Sequence, residues 1–129
     1  MNVNGIVLEL MVVDVSETID FYDKALGFAL EASERDQAGR VYWAKMSFGH
    51  FVVSFKDEQR VKGESLFMKE RQVGGGIAIC ILVEEINDLY VQLQRRFDML
   101  DHPHLTPCGA TQFSLLDNNG YVITFERFH

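Results

Sequence analysis

Few residues in this chain have both the type and the placement for chemistry. Glu9 interrupts an otherwise apolar stretch, residues 5–13, with a carboxylate. In an extended strand it shares a side with Val7 and Met11. A carboxylate buried there without a partner would be costly. It must then meet a cation (Lys45, Arg40 or part of a ligand), point to solvent, or serve as a base in an apolar site. His50, His102 and His104 are imidazoles that could join Glu9 in a metal site, although the last two sit in a Pro-rich stretch that reads as a solvated loop. His129 ends the sequence. Cys80 lies in an apolar strand pattern and reads as a small buried hydrophobe. Ser54 and Thr124 lack His and acid partners at any telling spacing, so a serine-type hydrolase is unsupported. No nucleophile elbow, phosphate loop, dinucleotide fingerprint or zinc-finger spacing occurs. Gly74, Gly75 and Gly76 precede a strand rather than opening a helix, the wrong context for a phosphate cradle.

Composition narrows the function classes. The chain has 129 residues, 47% hydrophobic and 24% charged, which suits one compact folded domain spanning residues 1–129. Net charge is −7, which would repel phosphate backbones and argues against nucleic acid as a partner. The same balance permits a cationic ligand and favours solubility. No apolar run approaches the roughly 20 residues that span a bilayer, and no secretory signal is evident. Cys80 and Cys108 are the only cysteines, with no CxxC spacing, so a reducing cytoplasm is expected.

The elements that must position these residues follow from periodicity. Residues 5–13 predict a strand, and Asp14 and Ser16 offer helix N-caps. Ile19, Phe21, Tyr22, Ala25 and Leu26 recur at helical spacing, and Gly27 suits the position just past the helix. Strands are predicted over 28–35, 40–47 and 51–55, with a turn at 36–39. Residues 58–73 read as a charged linker, with a short helix near 65–70. The pattern then restarts with a strand at 77–83 and a helix carrying Ile86, Leu89, Tyr90, Leu93 and Phe97. A loop follows at 101–109, then strands at 110–116 and 121–128 around a hairpin turn at 117–120.

This is a repeat. Asp14 and Glu85 stand at matching strand–helix junctions 71 residues apart, and Ser54 and Thr124 lie 70 apart in matching strands. Trp43 and Phe113, also 70 apart, read as equivalents. The expected fold is α+β, with two βαβββ modules at about 1–57 and 74–129 forming a curved eight-stranded mixed sheet around a cleft. Alternation puts Phe51, Val53, Phe55, Tyr121, Ile123 and Phe125 under the helices. It turns Ser54, Thr124, Glu126, Glu9, Met11 and Cys80 to the other side, a mostly apolar lining with a few polar points. Of Tyr42 and Trp43, only one can face inward to stack on a flat ligand.

The segment VVDVSETIDFYDKALGF, residues 12–28, resembles the first strand–helix junction of the vicinal oxygen chelate superfamily, which holds glyoxalases, bleomycin-resistance proteins and extradiol dioxygenases. FSLLDNNGYVITFE, residues 113–126, resembles its closing hairpin. The resemblance implies metal ligands at Val7, Ser54, Ala78 and Thr124. None of these is the His, Gln or Glu the family places there, so no metal and no other cofactor is expected. The resemblance is closest to the metal-free bleomycin-resistance branch. It implies a small-molecule-binding protein, sequestering a cationic or aromatic ligand through Glu9, Met11, Trp43, Ser54, Cys80 and Thr124. The alternative is a lyase, isomerase or dioxygenase with a displaced metal site or Glu9 as base. Open sheet edges and the resemblance together imply a homodimer.

Overall fold

The computed structural model describes all 129 residues. The chain divides into two compact units, Met1–Val73 and Gly74–His129. The first contains β1 (Leu8–Val12), α1 (Val15–Leu26), β2 (Ala29–Arg35), β3 (Val41–Phe48), β4 (Phe51–Asp57) and α2 (Glu58–Glu64), then a 3-10 turn at Leu66–Met68. The second contains β5 (Ala78–Leu82), α3 (Ile86–Gln94), β6 (His104–Leu105), β7 (Ala110–Leu116) and β8 (Val122–Phe128). Each unit forms a four-stranded mixed sheet, in the orders β1-β4-β3-β2 and β5-β8-β7-β6. In both, the first strand runs parallel to the last and the remaining pairs are antiparallel. The architecture is the duplicated α+β arrangement that the pattern predicts.

Capping chemistry starts and stops α1 where expected. The Asp14 carboxylate accepts from the Glu17 amide at 2.9 Å, and Gly27 closes the helix at φ 75°, a left-handed conformation cheap only for glycine. The buried face of α1, Val15, Thr18 and Tyr22, lies on the sheet. Tyr22 meets Phe28 and Phe55 with ring centroids at 5.3 and 4.7 Å. In the second unit Phe113 lies between Tyr90 of α3 and Phe125 of β8, at 5.1 and 5.0 Å. Such rings, with the aliphatic side chains packed around them, supply the apolar burial that holds a small unit together.

Four local features differ from the sequence reading. Residues 65–70 hold only a short 3-10 turn, Leu66–Met68, and the linker also forms an α-helix at 58–64, because Asp57 caps it by accepting from the amides of Gln59 and Arg60 at 3.1 and 3.3 Å. The Pro-rich stretch contributes a two-residue edge strand, β6, paired with Thr111 and Gln112. The second-unit helix ends at Gln94, leaving Phe97 in the turn beyond. Trp43 and Phe113 are not equivalents: Trp43 opposes Lys56 while Phe113 opposes Phe125 in the core. The hairpins explain the slip. Only Gly49 and His50 join the paired Phe48 and Phe51, whereas residues 117–121 join Leu116 and Val122.

Asp117 organises the longer hairpin, accepting from the Asn119 and Tyr121 amides at 2.8 and 2.9 Å. That turn also fixes Gly74, whose φ is +87° and whose missing side chain would meet the Asn119 carbonyl oxygen at 2.5 Å. Gly76 shares the left-handed backbone, φ +77°, but faces open space. Gly76→Ala should therefore cost about 1 kcal/mol, the ordinary left-handed penalty. Gly74→Ala should cost roughly 3 kcal/mol or more, since backbone must also move. Urea unfolding of the two variants checks this, and equal losses would contradict it.

Candidate functional site

The side of the first sheet turned away from α1 is built by strand register. Val53 and Phe55 are fully buried toward α1, so Ser54 and Lys56 between and beyond them point to the other side. Pairing then lines up Glu9, Ser54 and Lys45 in one row across β1, β4 and β3. The next row holds Met11, Lys56, Trp43 and Glu34. Of the adjacent aromatic pair, Trp43 is the one on this face, half-buried beside the two lysines. Tyr42 is instead covered by the Arg60 guanidinium of α2, 3.6 Å from its ring centroid.

Glu9 is exposed and accepts from the Ser54 hydroxyl at 3.1 Å. Neither Lys45 nor Arg40 pairs with it. Arg40 is committed elsewhere: it donates to the Val13 carbonyl and to Asp57, both at 3.0 Å, and lies 3.6 Å from Asp14. The Asp57 hydrogen bond and charge raise the Arg40 guanidinium further above its already high range. Lys56 is held by Glu64 of α2, and that bond keeps the Glu64 carboxyl below its usual range. Met11 and Ser54 are 5% and 3% exposed, so they floor this face rather than rise from it.

In the second unit the corresponding row is Cys80, Thr124 and Ser114. The two hydroxyls hydrogen-bond each other at 2.8 Å and are buried. Cys80 is exposed, not buried as its apolar neighbours suggest. It alternates with buried Ile79 on an edge strand, so it takes the opposite face. The next row is Leu82, Glu126, Gln112 and His104. Partial desolvation, then the Glu126 charge, push the Cys80 thiol up.

His50 does not join Glu9, and the other three histidines belong to the second unit. His50 tops the β3–β4 hairpin, four residues along β4 from Ser54, or about 13 Å of strand. His104 donates through Nδ1 to the His102 carbonyl at 2.9 Å and stands 3.7 Å from Asp101. His129 contacts the Thr111 hydroxyl at 2.7 Å. No three His, Cys, Asp or Glu side chains are gathered as metal ligands. The positions that the family resemblance implies as ligands hold two alkyl groups, Val7 and Ala78, and two hydroxyls already bonded within the protein, Ser54 and Thr124. These residues do not fit a divalent metal, which takes imidazole, thiolate or carboxylate donors. The sequence offers Lys45 only as a possible ion-pair partner of Glu9; the cross-strand register places it beside Ser54 instead, outside any ion pair.

Comparison with known proteins places this geometry in a family. A model of the glyoxalase/bleomycin resistance protein/dioxygenase superfamily matches residues 6–125, and the chain belongs to that superfamily. Among solved structures, a glyoxalase/bleomycin resistance protein/dioxygenase from Nocardioides is similar over 99% of this chain and 85% of its own, at 17% identity and a TM-score of 0.78. TnmS3, an antibiotic binding protein from a Streptomyces species, is similar over 100% of this chain and 99% of its own, at 22% identity and TM-score 0.74. TioX from a Micromonospora species is similar over 98% and 100%, at 19% identity and TM-score 0.73. At these identities the likeness establishes the fold. No curated protein matches the sequence.

The Cys80 environment makes a chemical prediction. A raised thiol is less ionised at a given pH, and the thiolate is the reactive form. In a Cys108→Ser background, alkylation of Cys80 by iodoacetamide should reach half its maximal rate at a higher pH than free cysteine. Glu126→Gln should lower that midpoint only in part, since desolvation is the larger cause. A midpoint at or below that of free cysteine would contradict the environment described.

Proposed function

We propose that this chain binds a small molecule on the sheet face carrying Glu9, Ser54 and Trp43, without a metal at the family's ligand positions, in the manner of the bleomycin-resistance branch. The observation that carries the reading is the occupation of those positions by Val7, Ala78, Ser54 and Thr124, beside a face with a half-buried indole and an exposed carboxylate. Pockets of this kind combine apolar area with a few placed polar groups. Likeness to TnmS3, an antibiotic binding protein, supports the same direction. Met11 belongs to the proposal as part of the floor of that face, while Cys80 and Thr124 hold the matching row of the second unit's own sheet. A cationic or aromatic ligand suits Glu9 and Trp43.

The reading includes a homodimer, because each sheet ends in two edge strands, β1 and β2 or β5 and β6. It also includes a reducing cytoplasm, where the free thiols of Cys80 and Cys108 are stable. No helix is long and apolar enough to cross a membrane. A second reading is a metal-free enzyme using Glu9 as base, which rests on its carboxylate being outside any ion pair, with one hydrogen bond from Ser54.

Two measurements test the proposal. Elemental analysis after exposure to Zn²⁺, Mn²⁺, Fe²⁺ and Ni²⁺ should find well under one metal per chain. Stoichiometric metal that is lost on Glu9→Ala would overturn the reading. A cationic aromatic such as 2-(2-naphthyl)ethylamine, at a hundred times its Kd, should stabilise the fold by about 2.7 kcal/mol. That corresponds to a rise in Tm of roughly 10 °C for a chain of this size. The rise should shrink in Glu9→Gln.

A further inference from the structure

The charge on the ligand can be taken further, and the step rests on the small-molecule reading above. The row Glu9, Ser54, Lys45 crosses three adjacent strands, which puts the outer Cα atoms about 10 Å apart. The two charged side chains stand on the same face with a short hydroxyl sunk between them. They do not pair: Glu9 takes the Ser54 hydroxyl, and Lys45 makes no hydrogen bond or ion pair. Every neighbouring cation is spent. Lys56 binds Glu64, Arg40 binds Asp14 and Asp57, and Arg60 lies on Tyr42. Of the nearby carboxylates, Glu31 is taken by Ser47, and Glu34 stands one row away beside Trp43, outside any ion pair and without closing on Lys45. Lys45 is half-buried as a residue, its stem lying on the face and its ammonium outside any ion pair.

The fold does not require this arrangement. The same row of the second unit, Cys80, Thr124 and Ser114, carries no fixed charge, and its hydroxyls satisfy each other. A charge of each sign, held apart across one buried hydroxyl, is therefore peculiar to the first unit. The gap suits an α-amino-acid head group with one charge-assisted hydrogen bond on each side. Trp43 stands two residues from Lys45 on the same strand and face, where a flat ring attached to that head group would lie.

We propose that the ligand is amphoteric: its cationic group is read by Glu9, its anionic group by Lys45, and its aromatic ring by Trp43. Lys45 is then the specificity residue that separates such a ligand from a simple aromatic amine. The shared chemistry is that of an aromatic amino acid, free or as the end group of a larger conjugate.

Three matched probes test this on the full chain by calorimetric or NMR titration: 2-naphthylalanine, 2-(2-naphthyl)ethylamine and 3-(2-naphthyl)propionate. The amino acid should bind at least tenfold more tightly than either single-charge probe. Lys45→Met should abolish its advantage over the amine, and Glu9→Gln its advantage over the propionate. Lys45→Glu should turn the preference toward the amine, with the fold checked by circular dichroism. If the amine or the propionate binds wild type as tightly as the amino acid, the amphoteric assignment is overturned while the small-molecule reading stands. If none of the three binds, both are overturned.

Discussion

The parallel pairing of β1 on β4 is the constraint from which the first unit's chemistry follows. Leu8 sits opposite Val53 and Leu10 opposite Phe55, so the apolar side chains of both strands turn toward α1 together. The same pairing sets Glu9 opposite Ser54 on the other face. A slip of one residue would drive Glu9 into the aromatic cluster of Tyr22, Phe28 and Phe55 and turn Leu10 outward. The energetic gap between those registers is large, because one leaves a carboxylate buried without a partner and the other buries a leucine. The placement of Glu9 on this face therefore follows from the register that the core selects. It is the by-product of a core that accepts only one register.

A second constraint closes the end of that face. Arg40 gathers the Val13 carbonyl, Asp14 and Asp57 around one guanidinium. Asp14 starts α1 and Asp57 starts α2, so one cation links the beginnings of both helices to the end of β1 and the start of β3. α2 buries no residue of its own and depends on such contacts, with Glu64 on Lys56 and Arg60 on Tyr42. Because Lys56 holds the Glu64 carboxyl low, that tie is present above the usual carboxylate range and is lost as pH falls through the lowered value. The contact is exposed, so its effect is on the position of α2 rather than on global stability.

Much of this was legible in the sequence, and the failures have physical causes. Asp14 and Gly27 delimit α1 because capping is local chemistry, written within four residues of each helix end. The Asp117 hairpin is local too. Spacing makes Trp43 the equivalent of Phe113 because it assumes equal hairpins, and here two connecting residues stand against five. The helix after Asp57 was hidden because its stability comes from a cap and from Arg40, not from an apolar stripe. Cys80 looked buried since a strand's composition does not reveal which face lacks a helix. Lys45 reads in the linear sequence only as one possible ion-pair partner of Glu9, a pairing that does not form. Its meaning arises only when three strands place it one hydroxyl away from Glu9.

The central claim is that a ligand lies on the face holding Glu9, Ser54, Lys45 and Trp43. The chain has one tryptophan, so its indole N–H gives a single resonance that reports on this face alone. The most direct measurement follows that ¹⁵N–¹H signal while 2-naphthylalanine is titrated into the uniformly labelled protein. The account predicts a saturable shift of the Trp43 indole signal, in step with the backbone amides of Lys45 and Glu9. Saturable binding that leaves the Trp43 indole and those amides unmoved would contradict it.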